Sequence, residues 1–323
     1  MSGGKIACVG ELLIDFVCTD IATSLAQGEH FLKKAGGAPA NVAIAINRCG
    51  GQARLAAKVG NDPFGDFLLQ TLQPDGIDLS AVSRSVMPTT LAFVALQQDG
   101  ERDFSFCRGA DGELCWEDIP ADFLTNIDIV HFGAATGLMD GKLYTTYQRL
   151  LQEAHERGLR ISFDPNYRQD LWGHNPQEFI ARCQPWFHLA DIVKVSEEEL
   201  RLITGEKSHE QGCQYLHDQG IRYVTVTCGN QGTWVSHQSG LQELVPSIPV
   251  MAIDSTGAGD AFIGALLQQL AQPECEFANP QHISRAVRWA NICGALTCTH
   301  FGAIDGIPYA DEIETRYRAS FDV

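Results

Sequence analysis

Short apolar runs alternate with amphipathic helical segments along most of this chain, and that alternation limits the fold more than any other feature. Lys5-Ile6-Ala7-Cys8-Val9-Gly10 is an apolar run closed by glycine, the pattern of a strand buried on both faces. The runs at 53–59, 127–131, 160–163, 192–195 and 223–227 repeat it. Between them lie helical patterns at 39–48, which stops at Gly50-Gly51, and at 64–72, 142–157, 176–186, 197–203 and 210–219. Strand and helix taken in turn predict an α/β chain whose mostly parallel central sheet is covered by helices on both faces, a three-layer sandwich.

Two stretches break the alternation. Residues 12–17 read Leu-Leu-Ile-Asp-Phe-Val, strand-like and directly after the first strand. Residues 90–107 read as two β runs around Asp99-Gly100, a hairpin signal. Strands inserted at about 12–34 and 88–112 predict a small β lid over a ligand. Past 227 come short strands at 232–236 and 241–245, then two long helical patterns at 257–270 and 283–297. With no internal repeat, low-complexity tract or linker, residues 1–323 read as a single domain with a lid.

Length permits a large core, since the chain has 323 residues. A net charge of −17 argues against nucleic acid and anionic membranes, which would repel it. It leaves room for a small anion held by local amides and one or two cations. The 11 cysteines are irregularly spaced with no Cys-x-x-Cys pair, which argues against zinc or disulfide roles and for reduced, buried thiols. No apolar run approaches a membrane span or a signal-peptide core, so the expected location is cytoplasmic.

The chemistry concentrates in Asp254-Ser255-Thr256-Gly257-Ala258-Gly259-Asp260. An apolar run at 248–253 leads in, and a helix pattern with Phe262, Leu266, Leu267 and Leu270 leads out. The reading is a strand, a glycine-rich turn and a helix start, where free N–H groups and the helix dipole attract a phosphate. Gly257 and Gly259 let backbone approach a ligand, and Asp260 in the first turn aims a carboxylate at the same place. As a lone motif, Asp260 would only complement the helix dipole. Rival glycine motifs fail: Phe262 stands where a dinucleotide fingerprint needs glycine, and no Gly-Lys-Ser/Thr exists. A second site, Ala35-Gly36-Gly37-Ala38-Pro39-Ala40-Asn41, opens a helix with proline in its first turn. Its amides and Asn41 suit neutral hydroxyls.

These two glycine sites, in this order and spacing, resemble the two signatures of the ribokinase, or PfkB, family of carbohydrate kinases. The resemblance runs from Gly10 to Gly302. Within the family the words Gly10-Glu11-Leu12-Leu13-Ile14-Asp15-Phe16, Phe106-Cys107-Arg108-Gly109-Ala110-Asp111 and Asp164-Pro165-Asn166-Tyr167-Arg168 are similar to those of bacterial fructokinases.

The resemblance implies a ribokinase-like fold and a role for each matching position. Asp260 matches the catalytic base, and Gly257, Ala258 and Gly259 the anion hole. Asp15, at the end of strand one, matches a carboxylate that grips sugar hydroxyls; Gly36, Gly37 and Asn41 line the same sugar, and Arg108 and Arg168 stand near the substrate. On the nucleotide side Lys194 and Glu199 match a region serving the magnesium water network, with Ser196 where the commoner pattern has Asn. Thr227, Gly229 and Gly232 match a phosphate and ribose loop, and Asn291 an adenine contact. Asp254, Thr256, Thr297, His300 and Gly302 match positions around a monovalent cation.

The implied cofactors are ATP and Mg²⁺, with K⁺ as a hypothesis, and the implied partners are sugar and ATP, with two copies pairing through the lid. The implied reaction is phosphorylation of a free sugar, D-fructose to fructose 6-phosphate. The alternatives are the same chemistry on aminoimidazole riboside, ribose or 2-keto-3-deoxygluconate, and a non-catalytic sugar-binding sensor. Asp164, closing a strand, reads as a partner of Arg168.

Overall fold

The computed structural model describes residues 4–321 apart from 21, 97–101, 174, 274 and 276–278. Two sheets carry its strands. The larger has nine: β1 (Lys5–Val9), β4 (Gln52–Gly60), β5 (Asp78–Ser85), β8 (Ile129–Gly133), β9 (Arg160–Asp164), β10 (Ile192–Ser196), β11 (Tyr223–Thr227), β12 (Thr233–His237) and β13 (Gln242–Val245), in the order β13-β12-β11-β10-β9-β8-β1-β4-β5. The seven from β5 to β11 run parallel, and β12 is antiparallel to both β11 and β13. The smaller sheet is β3-β2-β6-β7, from β2 (Leu13–Cys18), β3 (Phe31–Gly36), β6 (Leu91–Leu96) and β7 (Arg102–Cys107).

The helices are α1 (Ala38–Arg48), α2 (Pro63–Leu72), α3 (Lys142–Glu156), α4 (Gln169–Trp172), α5 (Pro176–Phe187), α6 (Glu197–Thr204), α7 (His209–Asp218), α8 (Ala258–Leu270), α9 (Pro280–Thr297), α10 (Ala303–Gly306) and α11 (Ala310–Phe321). Strand β1 explains the layering. Ile6 and Cys8 enter one apolar cluster with α1, α8 and α9, while Ala7 and Val9 enter another with α3, α5, α6 and α7. A strand whose buried positions are all apolar feeds two cores because its side chains alternate faces.

Three differences from the sequence reading have physical causes. The apolar run at 248–253 forms no strand: Ile248 is buried but Met251 is 90% exposed and Ile253 55% exposed. The segment is instead tied to α9 by the Ile253 and Asp254 amides, which both donate to the Cys298 carbonyl at 2.8 and 3.2 Å. Strand β5 and helix α11 were not anticipated. β5 is a polar edge strand, Asp-Leu-Ser-Ala-Val-Ser-Arg-Ser, and α11 buries only Ile313 among polar neighbours. Asp15 lies inside β2 of the small sheet, not at the end of β1, because Gly10 (φ 147°) turns the chain out of the large sheet first. The Asp99-Gly100 turn lies outside the described residues, though β6 and β7 pair antiparallel as a hairpin would.

Candidate active site

The site forms where the parallel strands end, the edge at which open α/β sheets bind ligands. Gly257 caps α8 in the left-handed region (φ 77°), and a Cβ there would sit 2.2 Å from Ala303 Cβ, so only glycine fits. The Ala258 amide closes a turn onto the Ser255 carbonyl at 3.2 Å. Among the described residues the Gly257, Gly259 and Asp260 amides have no acceptor. Of the three amides expected to form an anion hole, those of Gly257 and Gly259 are free and that of Ala258 is engaged, with the Asp260 amide also free. A Cβ on Gly259 would stand 3.1 Å from Lys194 Nζ, so the bare glycine seats an ammonium against the helix start. Helix dipole, free amides and this cation together favour an anion.

Asp260 is 7% exposed and accepts a 2.9 Å hydrogen bond from Asn41 Nδ2. The two residues meet because α1 and α8 pack backbone to backbone: a Cβ on Gly264 would lie 2.6 Å from Ala45 Cβ and 2.7 Å from the Val42 carbonyl. Burial pushes the Asp260 carboxyl up to about 6, with Asp164 adding to the rise and Asn41, Arg168 and Lys194 opposing it. Such a group is mostly ionised at neutral pH yet basic enough to take a proton.

On the β2–α1 side, Asp15 is likewise raised to about 6 by burial and by the Asp260 charge, with Arg168 opposing. Arg168 itself is exposed. Gly36 and Asp15 interlock, since a Cβ on Gly36 would fall 2.0 Å from Asp15 Oδ2. Gly37 (φ 111°) has no room either, with the Glu11 carbonyl 2.3 Å away. Arg108 turns toward protein, donating to the Asp140 carbonyl at 2.7 Å and the Thr136 carbonyl at 3.3 Å, with Nε 3.7 Å from Asp111.

Across the site, Lys194 donates to Asp164 Oδ2 at 3.0 Å. Asp164 is thus the partner of Lys194, a correction to its sequence pairing with Arg168. Burial opposes the Lys194 charge, but Asp164, Glu199 and Asp260 outweigh it and raise its pKa. Glu199 closes a capping box on Ser196, and its two oxygens accept the Ser196 and Tyr167 amides, each at 2.7 Å. Asn291 is buried and occupied: its Oδ1 accepts from Thr233 at 2.6 Å and its Nδ2 donates to the Val245 carbonyl at 2.9 Å. Gly229 (φ 56°) and Gly232 (φ 111°) bound the turn after β11, while Thr227 donates to the Val195 carbonyl at 3.4 Å.

Asp254 gathers the segment before α8. Its Oδ1 accepts from the Thr256 amide and hydroxyl, at 2.9 and 2.6 Å, and its Oδ2 from the Gly302 amide at 2.9 Å. Thr297 is buried inside α9 with its hydroxyl on the Cys293 carbonyl, and the His300 side chain is exposed. Asp254, Thr256 and Gly302 therefore come together directly, and Thr297 and His300 only border them.

Glu11 escaped the sequence reading as a candidate. It is 2% exposed, accepts the Ala38 amide at 3.1 Å and the Thr136 hydroxyl at 3.2 Å, and is pushed up to about 7 by burial and by the Asp111 and Asp260 charges. A carboxylate in an apolar word beside glycine was the available signal.

The chain resembles proteins of known kind along its whole length. A maize fructokinase is 38% identical over 319 residues, 97% of this chain and 98% of the relative. Among solved structures, a double mutant of Vibrio cholerae fructokinase with fructose, ADP and potassium ion superposes with a TM-score of 0.85 at 36% identity, covering 97% of this chain and 98% of that one. A Xylella fastidiosa fructokinase with bound ATP gives 0.86 at 32% identity, covering 98% of each. The family model for pfkB carbohydrate kinases matches residues 4–310, and this chain belongs to that family.

Proposed function

We propose that the chain transfers the γ-phosphoryl group of ATP to the primary hydroxyl of D-fructose, giving fructose 6-phosphate. The observation that carries this reading is the convergence at the start of α8: a buried, basic carboxylate, Asp260, beside unpaired helix-start amides and the Lys194 ammonium. Asp260 takes the hydroxyl proton as the oxygen attacks in line. The Gly257 and Gly259 amides and Lys194 receive the charge of the moving phosphoryl group. Asp15, Asn41, Gly36 and Gly37 hold the sugar, with Arg168 holding both carboxylates in their charged state. Arg108 acts by joining the small sheet to residues 136–140.

The small sheet serves as a lid on one catalytic unit spanning 1–323, excluding water that would otherwise accept the phosphoryl group. Thr227, Gly229, Gly232 and Asn291 frame the nucleotide. The donors present fit Mg²⁺, because Asp164 and Glu199 lie behind the phosphate point while engaged with protein groups, and Mg²⁺ keeps several waters when it rides on phosphates. Bound there, it would supply positive charge to the phosphates of ATP. The Asp254 carboxylate and Thr256 hydroxyl, gathered beside Gly302 and flanked by Thr297 and His300, offer oxygen atoms that would suit a hard monovalent cation such as K⁺.

Relatives that carry fructose and ADP, or ATP, support this assignment. No described helix is long and apolar enough to cross a membrane, and we place the activity in the cytoplasm. Exposed Val17 and Leu32 on the small sheet offer the face for pairing two copies. A panel of fructose, ribose, aminoimidazole riboside and 2-keto-3-deoxygluconate, assayed by ADP release with Mg²⁺-ATP and with or without K⁺, tests the reading. Fructose should turn over fastest; a faster riboside would overturn the substrate assignment, and no turnover of any sugar would overturn the kinase.

A further inference from the structure

The proposed reaction leaves one group of chemically distinctive side chains unused. Glu197 opens α6, His209 opens α7 and Cys228 follows β11, and their ligating atoms all lie within 4.8 Å of one another. His209 Nε2 stands 2.9 Å from Glu197 Oε1. The positions are 12 and 19 residues apart in no known metal spacing, so only the fold brings them together, against the sequence expectation that no cysteine serves a metal.

We propose that Glu197, His209 and Cys228 form a binding site for a borderline-soft divalent cation of the Zn²⁺ class. One sulfur, one nitrogen and one oxygen donor suit that class. Mg²⁺ and K⁺, which prefer oxygen alone, do not compete well for such a set. Bonds of about 2.0–2.3 Å require only a small inward movement from the present spacing.

The three donors are held by separate structural features. Ser196 caps α6, Ser208 caps α7 by accepting the Gln211 amide, and β11 fixes the approach to Cys228. The Cys228 thiol donates to the Val226 carbonyl at 3.3 Å, and the Trp234 ring lies 5.5 Å from the His209 ring, so the thiol and the imidazole both have supports behind them. Three protein ligands leave a fourth position for water. On binding, the Cys228 proton leaves to solvent, and the His209–Glu197 contact is exchanged for two bonds to the cation.

Because the site joins the starts of α6 and α7 to the end of β11, occupancy should raise the thermal midpoint. Chelator-treated full-length protein titrated with Co²⁺ should bind about one equivalent with thiolate-to-cobalt charge-transfer absorption, which Zn²⁺ displaces. Cys228→Ser should abolish the absorption, and His209→Gln should weaken Co²⁺ binding at least about tenfold. Circular dichroism reports whether each variant is folded, and His209→Gln decides alone if Cys228→Ser is not. Absence of the charge-transfer absorption in the wild type overturns the site. So does an absorption of unchanged intensity and affinity in a folded variant.

Discussion

The two sides of the proposed transfer point are built on opposite terms. On the sugar side, polar side chains are buried with part of their hydrogen-bonding capacity unused. Asn41 spends its amide nitrogen on Asp260, while its Oδ1 is buried with no partner among the described residues, and the Asp260 charge adds to the burial that raises Asp15. On the nucleotide side the named side chains are already satisfied by the protein. Both ends of Asn291 are bonded, and both oxygens of Glu199 hold backbone amides. An unsatisfied buried group costs about 1–3 kcal/mol, so the sugar side carries a strain that ligand hydroxyls can relieve. The other side is a preformed frame offering backbone and glycine turns.

If that contrast holds, changes on the sugar side should damage turnover and spare stability. The largest effect is expected at Asp260. Asp260→Asn keeps the shape but loses the base, and ADP-release assays should show kcat lower by about 10²–10⁴-fold. The wild type has its own signature. The acid form of Asp260 cannot accept a proton, so kcat should fall about tenfold per pH unit as pH drops below about 6, and kcat/KM more steeply because Asp15 titrates there too. The residual activity of Asp260→Asn should lack that limb in kcat. Stability runs the other way. A folded carboxyl raised above its unfolded value keeps its proton longer than the unfolded chain does, so stability falls as pH rises from about 4 through 6. Replacing Asp260 by Asn should therefore raise the thermal midpoint of the unliganded protein at pH 8. A variant both slower and less stable would break the contrast.

Gly36→Ala probes the same side with less disruption. The added methyl meets the end of a carboxylate, Asp15 Oδ2 at 2.0 Å and Cγ at 2.8 Å, with Leu13 Cδ1 next at 3.3 Å. The Asp15 side chain can rotate away at small cost to folding, but the grip on the sugar goes with it. Losing a hydrogen bond to a charged group, about 1.5–3 kcal/mol, corresponds to a rise of about 10–100-fold in fructose KM. The KM for ATP should stay near the wild-type value. If both KM values rose together, Asp15 would not belong to the sugar side alone.

The same division explains what the sequence revealed. The parallel sheet was legible because strands buried on both faces are mainly apolar, as β1 is past Lys5 and β10 is apart from Lys194 and Ser196. Asp260 and Gly257 were legible because the local chain sets their geometry: Gly257 is left-handed at the N-cap of α8 and Asp260 lies in its first turn. β5 was lost because a polar edge strand lacks periodic apolar residues, and the 248–253 run misled because its exposed Met251 and Ile253 are apolar without being core. The Lys194–Asp164 pair, Glu11 and the Glu197–His209–Cys228 cluster depend on contacts between distant segments. No local pattern encodes these.

The smallest kinetic effect should come from Asn291→Ala, which tests the frame. Asn291 holds the Val245 carbonyl and the Thr233 hydroxyl from α9, bracketing the β12–β13 pair where Gly232 passes within a Cβ's reach, 2.1 Å, of the same carbonyl. Truncation leaves both groups unpaired in a buried place, at a cost of about 1–3 kcal/mol. Differential scanning calorimetry should record a thermal midpoint lower by a few degrees. Fructose KM should stay within about threefold of the wild type, since the strain-bearing groups around Asp260 lie outside this frame. The ATP KM should rise only as the frame loosens, and should recover on cooling. An unchanged midpoint with ATP KM raised tenfold or more would mean that Asn291 releases its protein partners to meet the nucleotide directly. The two sides would then be built alike, each keeping side chains in reserve for its ligand.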